Sequence, residues 1–352
     1  MVGTMSMRRV MVTAEGVRVT RAEVPRPAPG EALVRTVVAG VCGSDVHAWH
    51  GRHPFVSLPY APGHEVCGVV VDGDLPAGRR VTVEPDLPCW TCKQCLAARQ
   101  NLCERLRFFG CAHDQGGMAD FFTIDVRRLH TVPDDLDWRT AALIEPLSTP
   151  MHAIRLAEGV RGRTVAILGA GTIGLLLLRA ARAQGAKRIV VTARSTANRE
   201  RAMRFGADAA VPTDADQVRD ALGESADVVF DCVAAPETVP AAIAMANKGG
   251  TVVVVGVPAG EVRVPLPMLQ DSQIRVQGSA TYLPEDYADA MAMLGAGTVS
   301  AADFVTAVHP LSDAASAFAD AERGAQIKVL IAPDPAELSP LPEPARGARM
   351  AA

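Results

Sequence analysis

Three observations in the sequence predict an α/β protein in which a doubly wound parallel sheet sits beside a second, β-rich region. The first is Thr164-Val-Ala-Ile-Leu-Gly-Ala-Gly-Thr-Ile-Gly-Leu-Leu-Leu-Leu178. Here an apolar run (165–168) suited to a buried strand meets three glycines spaced G-x-G-x-x-G, followed by a helical pattern through Gln184. The second is a series of further strand-length runs, Arg188–Thr192, Val228–Cys232, Thr251–Gly256 and Ile274–Gly278, which supply the other strands of such a sheet. The third lies upstream. Arg8–Thr13, Val17–Arg21, Ala32–Ala39 and Phe121–Ile124 are short runs of strand-forming residues, and Pro25, Pro27 and Pro29 mark a turn-rich connector before the third run.

The glycine spacing has a physical reason. Gly169 permits the tight turn, Gly171 lets the backbone approach a pyrophosphate, and Gly174 lets the helix close on the strand. Thr172 and Ile173 open that helix, whose N-terminus attracts phosphates. The strand–turn–helix context, with a second strand at Arg188–Thr192, makes this a dinucleotide-binding signature rather than an ordinary glycine-rich turn. Discrimination between NAD and NADP falls at the end of the second strand, where an Asp or Glu holds a ribose 2′-hydroxyl. This chain has Ala193, then Arg194 and Ser195, with Arg199 about one turn further on. A guanidinium pairs with a 2′-phosphate where a carboxylate would repel it, so the sequence favours NADP over NAD.

The 352 residues accommodate two domains, and 49% hydrophobic residues support sizeable cores. A net charge of −4 argues against a nucleic-acid footprint, which needs a basic face. Met1 to Arg9 has no apolar core of the secretory kind, and the uncharged stretch Thr164–Leu178 is too short and glycine-punctuated to span a bilayer. A cytoplasmic protein with no membrane partner is expected. Of the eight cysteines, four cluster at metal spacing, which fits a reducing compartment.

The β-rich half carries the reactive residues. In Gly40-Val-Cys42-Gly-Ser44-Asp-Val-His47 a thiolate suited to Zn²⁺, a hydroxyl and an imidazole lie within six residues. Pro62-Gly63-His64-Glu65 adds an imidazole and an adjacent carboxylate, both metal-ligand types. Gly68, Gly73 and Gly78 read as turn glycines nearby. The strongest metal signal is Cys89-x2-Cys92-x2-Cys95-x7-Cys103, four thiolates that can close a tetrahedral zinc site with no open position, hence a structural one. Cys67, Cys111 and Cys232 lack such neighbours and read as buried or inert. Glu145, between apolar residues and before Pro146, reads as a partly buried carboxylate needing a partner, either a metal or a bland salt bridge or cap.

With these motifs in place, the chain resembles the zinc-dependent medium-chain dehydrogenase/reductase superfamily, and within it the sorbitol (polyol) dehydrogenase branch. The resemblance covers roughly residues 8–333 and rests on the Cys42–His47 segment, Gly63-His64-Glu65, the four spaced cysteines, Glu145-Pro-Leu-Ser, the glycine motif and Lys328-Val-Leu-Ile. It implies a GroES-like catalytic domain (1–150 plus 286–333, with a structural-zinc lobe at about 86–106) and an inserted Rossmann domain (151–285), while the stretch 334–352, rich in Pro and Ala without apolar periodicity, reads as a disordered tail. It also implies a catalytic zinc on Cys42, His64 and either Glu65 or Glu145, and a structural zinc on Cys89, Cys92, Cys95 and Cys103. Ser44 and His47 fall at the family's proton-relay positions, and the resemblance implies a homodimer or homotetramer.

The reaction expected is reversible hydride transfer between NADP(H) and a secondary alcohol or ketone: a polyol, sugar, cyclitol or related biosynthetic intermediate. Two features depart from the branch. The acidic residue after the second strand is missing, and the arginine that polyol dehydrogenases tend to carry near Thr281 is replaced by Gly278-Ser-Ala-Thr281-Tyr282. Two rival readings are a zinc-independent enone or quinone reductase of the same superfamily and a non-enzymatic zinc-containing binding protein. The joint presence of Cys42, His64 and Glu145 counts against both.

Overall fold

The computed structural model describes residues 5–111 and 113–338, and these divide between two principal sheets. The chain opens with an antiparallel pair, β1 (Ser6–Thr13) and β2 (Gly16–Glu23), followed by β3 (Glu31–Val41), β4 (Glu65–Gly73) and β5 (Arg80–Val83). Two short strands, β6 (Asp86–Leu87) and β7 (Arg107–Phe108), pair with each other on either side of the cysteine-rich segment. After them come β8 (Phe121–Asp125) and β9 (Leu129–Thr131). The second sheet then runs β10 (Thr164–Leu168), β11 (Arg188–Thr192), β12 (Ala209–Val211), β13 (Ala226–Asp231), β14 (Ala246–Val254) and β15 (Arg275–Gly278). Finally β16 (Val305–Pro310) and β17 (Lys328–Ala332) return to the first sheet.

The six-stranded sheet has the order β12-β11-β10-β13-β14-β15 with every pair parallel, the doubly wound arrangement expected. All five residues of β10 are buried, which is why that strand reads as an unbroken apolar run rather than an alternating one. The seven-stranded sheet has the order β16-β17-β3-β4-β5-β9, with β8 also on β3, so the last strands close against the first. β17 pairs antiparallel with β3 through Val329 and Val41, which brings Lys328 beside the end of β3.

Helix Ile144–Leu156 packs between helices Thr172–Ala183 and Pro284–Gly295 and joins the two sheets. The expected boundaries at 150/151 and 285/286 both fall inside helices of this group. Two expectations need correction. Gly68 is not a turn residue: it lies within β4, where a Cβ would overlap the Arg35 carbonyl, whereas Gly73 and Gly78 do turn, with φ of +103° and +86°. Residues 334–338, expected to begin a disordered tail, are docked instead, by a 2.8 Å ion pair between Arg35 and Glu337 and burial of Leu338. The rest of that stretch, 339–352, lies outside the described residues. Among the described residues no helix is long and apolar enough to cross a membrane.

Candidate active site

The end of β3 and the start of β4 are adjacent antiparallel neighbours, Gly40 facing Glu65. That register carries the loop residue Cys42 toward His64, twenty-two residues away in sequence. A Cβ at position 40 would overlap the Glu65 carboxylate, so glycine there leaves that side chain its space. Gly63 sits at φ +110°, and a Cβ there would strike the Met118 amide, so its backbone is free to take the turn that delivers His64. Ligand atoms of Cys42, His64 and Glu65 lie within 4.8 Å of one another, with the latter two buried. The donor set, one thiol, one imidazole and one carboxylate, suits zinc and leaves a fourth position free.

Helix Gly43–Trp49 starts directly from Cys42. Asp45 caps it, accepting from the Cys42 amide at 3.0 Å, and this fixes the cysteine at the helix entrance. Ser44 and His47 lie one turn apart on the same helix, and Ser44 Oγ is 3.5 Å from His64 Nε2. Partial burial, with Arg52 and His50 nearby, holds the His47 pKa below the ordinary histidine value.

Glu65 and Glu145 have different surroundings. Both Glu65 oxygens lie 2.7 Å from Lys328 Nζ, in a pair with both side chains almost fully buried. Burial alone would lower the Lys328 pKa, but Glu65, Cys42 and Glu145 together outweigh it and the pKa lies above the ordinary lysine value. Glu145, in the first turn of helix Ile144–Leu156, accepts a hydrogen bond from the Tyr282 hydroxyl. Burial pushes its carboxyl up to about 7 against the opposing pull of His64.

Several residues of this centre were not singled out from the sequence. Cys111, expected to be inert, has its Sγ 3.5 Å from His64 Nδ1, and with Asp45 it forms a second potential ligand trio around the same imidazole. Burial raises its thiol pKa. Nothing in its spacing could have flagged it. Asp45 had a signal, since it stands three residues after Cys42 as a capping acid does. Asp86 is also wholly buried, bound through Oδ2 to the Thr281 hydroxyl at 2.8 Å, and burial pushes its carboxyl up to about 8. It therefore keeps a proton that the unfolded chain, with an ordinary value of 3.8, has released. Its contribution makes the fold less stable as pH rises between about 4 and 8. Asp86→Asn is expected to flatten that slope. Urea midpoints of both proteins at pH 5 and pH 8 check this, and an unchanged difference between them would count against Asp86 as the source.

The four cysteines of the lobe converge as their spacing predicts. Sulfur separations include 3.5 Å for Cys92–Cys95, 3.9 Å for Cys92–Cys103 and 4.0 Å for Cys89–Cys95. Backbone amides of Cys89 and Arg105 point at Cys103 Sγ from 3.2 and 3.4 Å. The Thr91 amide and the Arg105 guanidinium bring the Cys89 thiol down to about 5, favouring the thiolate a metal requires.

In the second sheet, Gly169 has φ +101°, and a Cβ at Gly174 would overlap the Gly169 carbonyl, as the close helix–strand approach requires. A Cβ at Gly171 would meet open space, so the surface there is clear for a ligand. Thr172 donates its hydroxyl to the Ile327 carbonyl, tying the helix to the segment before β17, while Ile173 is partly buried against the core. Arg194 is exposed. Ser195 caps the next helix by accepting from the Asn198 amide at 3.2 Å. Arg199, expected to clamp a 2′-phosphate, is committed to the carbonyls of Ala193 and Arg194 at 2.9 and 2.8 Å. In this arrangement it braces the loop.

A cavity of about 500 Å³ opens beside Leu87, Trp90, Arg107 and Arg127, but none of the expected site residues lines it.

A zinc-type donor set beside a dinucleotide cradle defines a class, the metal-dependent dehydrogenases. Comparison with known proteins agrees. Residues 28–134 match the "Alcohol dehydrogenase GroES-like domain" family and residues 172–296 the "Zinc-binding dehydrogenase" family. Sorbitol dehydrogenase of Ovis aries is 33% identical over 331 residues, covering 90% of this chain and 93% of that protein. L-galactonate-5-dehydrogenase of Escherichia coli is 34% identical over 306 residues, covering 84% and 89%. Among solved structures, a zinc-binding dehydrogenase target from Sinorhizobium meliloti 1021, bound to NADP, superposes with a TM-score of 0.85 at 32% identity, covering 94% of this chain and all of that one. The chain belongs to the zinc-dependent medium-chain dehydrogenase/reductase family, in its sorbitol dehydrogenase-like branch. It is a zinc- and NAD(P)-dependent oxidoreductase of the alcohol/polyol dehydrogenase class.

Proposed function

We propose that the protein interconverts a secondary alcohol and a ketone on a polyol, sugar or cyclitol, with NADP preferred over NAD and two zinc ions per chain. The observation that carries this reading is the buried Cys42–His64–Glu65 trio with Ser44 beside it. Zinc on those three residues would polarise the alcohol oxygen and lower its pKa. Glu65 is preferred over Glu145 as the third ligand because its oxygen lies within 4.8 Å of the Cys42 and His64 donor atoms. Ser44 takes the substrate hydroxyl proton, and His47, kept neutral by its lowered pKa, passes it to solvent. The nicotinamide supplies the redox chemistry, and the chain's part is distance and orientation. The second zinc belongs to Cys89, Cys92, Cys95 and Cys103.

The cofactor sits over Gly169–Gly174 with its 2′-phosphate at Arg194 and Ser195, on the loop that Arg199 braces. The catalytic domain takes in the seven-stranded sheet and the inserted domain the six-stranded one. All eight cysteines are free of disulfides, which supports a reducing, cytoplasmic setting. The family resemblance supports a homodimer or homotetramer.

The test is nicotinamide absorbance with zinc-loaded protein and a panel of polyols, cyclitols and matching ketones, each run with NADP and NAD. Silence on every member while NADP still binds would overturn the polyol assignment. Arg194→Asp is expected to lower the NADP-to-NAD ratio of kcat/KM by roughly a hundredfold, because it exchanges an attraction for a repulsion at the 2′-phosphate. An unchanged ratio would remove Arg194 from the cofactor site.

A further inference from the structure

Three consecutive residues following β15 are each held by a different upstream segment: the four-cysteine lobe, β6 and helix Ile144–Leu156. The Ala280 carbonyl accepts from Asn101 Nδ2 at 2.9 Å, and Asn101 is buried within the four-cysteine lobe. The Thr281 hydroxyl donates to Asp86 Oδ2 at 2.8 Å. The Tyr282 hydroxyl donates to Glu145. The middle residue is in an unusual state. Thr281 has φ +47°, the left-handed region that a β-branched residue rarely occupies, and such a turn persists only where its surroundings over-determine it. Its anchor is equally unusual. Asp86 is fully buried in the β6–β7 pair opposite Phe108, which itself lies edge-on to His64 with ring centroids 5.6 Å apart, and among the described residues Asp86 Oδ1 has no hydrogen-bond partner. A buried carboxyl with one unmet oxygen is costly to hold, and its other oxygen accepts from Thr281.

We propose that Asp86 and Thr281 are positioning residues of the active site, their hydrogen bond holding the 280–282 turn so that Tyr282 is aimed at Glu145. The proposal rests on the reading that the buried Glu145 carboxyl, which feels His64, Glu65 and Lys328, stands beside the Cys42–His64–Glu65 trio. Neither residue touches the zinc donor set, and both act through Tyr282. The pair spans the junction between the two sheets, so it also fixes how the end of the dinucleotide domain meets the metal centre.

The test compares zinc-loaded Thr281→Val, Asp86→Ala and Tyr282→Phe, the double variant Thr281→Val/Tyr282→Phe, and Thr281→Ser. Turnover is measured with the best polyol of the panel, and the visible spectrum is recorded after exchange of zinc for cobalt, which does not depend on turnover. Thr281→Val and Asp86→Ala are each expected to lower kcat by about tenfold or more while KM for NADP stays within about twofold. Both should shift the cobalt bands. Thr281→Ser, which keeps the hydroxyl, should recover most of the loss, and Thr281→Val should add nothing in the Tyr282→Phe background. Additive losses in the double variant, or a lowered Tm with kcat and the cobalt bands unmoved, would overturn the proposal. Glu145→Ala separates the two levels. If it leaves both turnover and the cobalt spectrum as in the parent, the reading of Glu145 has failed, and the clasp with it. If it damages them while the clasp variants are silent, only the clasp has failed.

Discussion

His64→Ala is expected to lower kcat/KM on the order of a thousandfold or more while leaving NADPH binding nearly intact. The asymmetry follows from the architecture. His64 enters β4 of the seven-stranded sheet, whereas the glycine turn at Gly169–Gly174 belongs to the six-stranded one. Removing the imidazole leaves only Cys42 and Glu65 of the trio, and Glu65 already answers to Lys328 through both oxygens at 2.7 Å. A thiol and a lysine-paired carboxylate make a weak site, so zinc content should fall by one ion per chain. Cys42→Ala should behave alike, with less disturbance of packing because Cys42 is only partly buried. Metal analysis, NADPH fluorescence titration and turnover on the same preparation separate the possibilities. Full activity in a variant holding a single zinc would rule out metal-assisted chemistry at this trio.

The parts of this site that were legible in the sequence are those whose chemistry is fixed by short-range spacing. The turn at Gly169–Gly174, the four cysteines and the Cys42–Ser44–His47 spacing need only a few residues of chain to define them. The doubly wound parallel sheet followed because strand–helix alternation leaves few topologies open. What stayed hidden depends on contacts between distant segments. Cys111 meets His64 from forty-seven residues away, and Tyr282 meets Glu145 across one hundred and thirty-seven. No local pattern encodes such meetings. Arg199 shows a related limit: its position suits a phosphate clamp, and the carbonyls of Ala193 and Arg194 that it also reaches are invisible to residue type.

Loss of the lobe's metal is expected to loosen a region with almost nothing else to hold it. Within 89–106 the buried residues are Cys95, Asn101 and Cys103, while Leu96 is 77% exposed and Leu102 45% exposed. No apolar core exists there to survive the loss of metal–sulfur bonds, which in small zinc folds supply most of the folding free energy. Cys103→Ser should therefore remove one zinc per chain, lower Tm by several degrees and open the lobe to trypsin at the exposed Arg99 and Arg105, with far-UV ellipticity largely retained. The effect should also reach the active site. Asn101 travels with the lobe, and its amide holds the Ala280 carbonyl at 2.9 Å, next to the strained Thr281. Turnover should thus fall even though Cys42, His64 and Glu65 keep their own zinc. A variant that loses the lobe's zinc but keeps full kcat and trypsin resistance would show that the four thiols hold together without metal and that the lobe does not support the 280–282 turn.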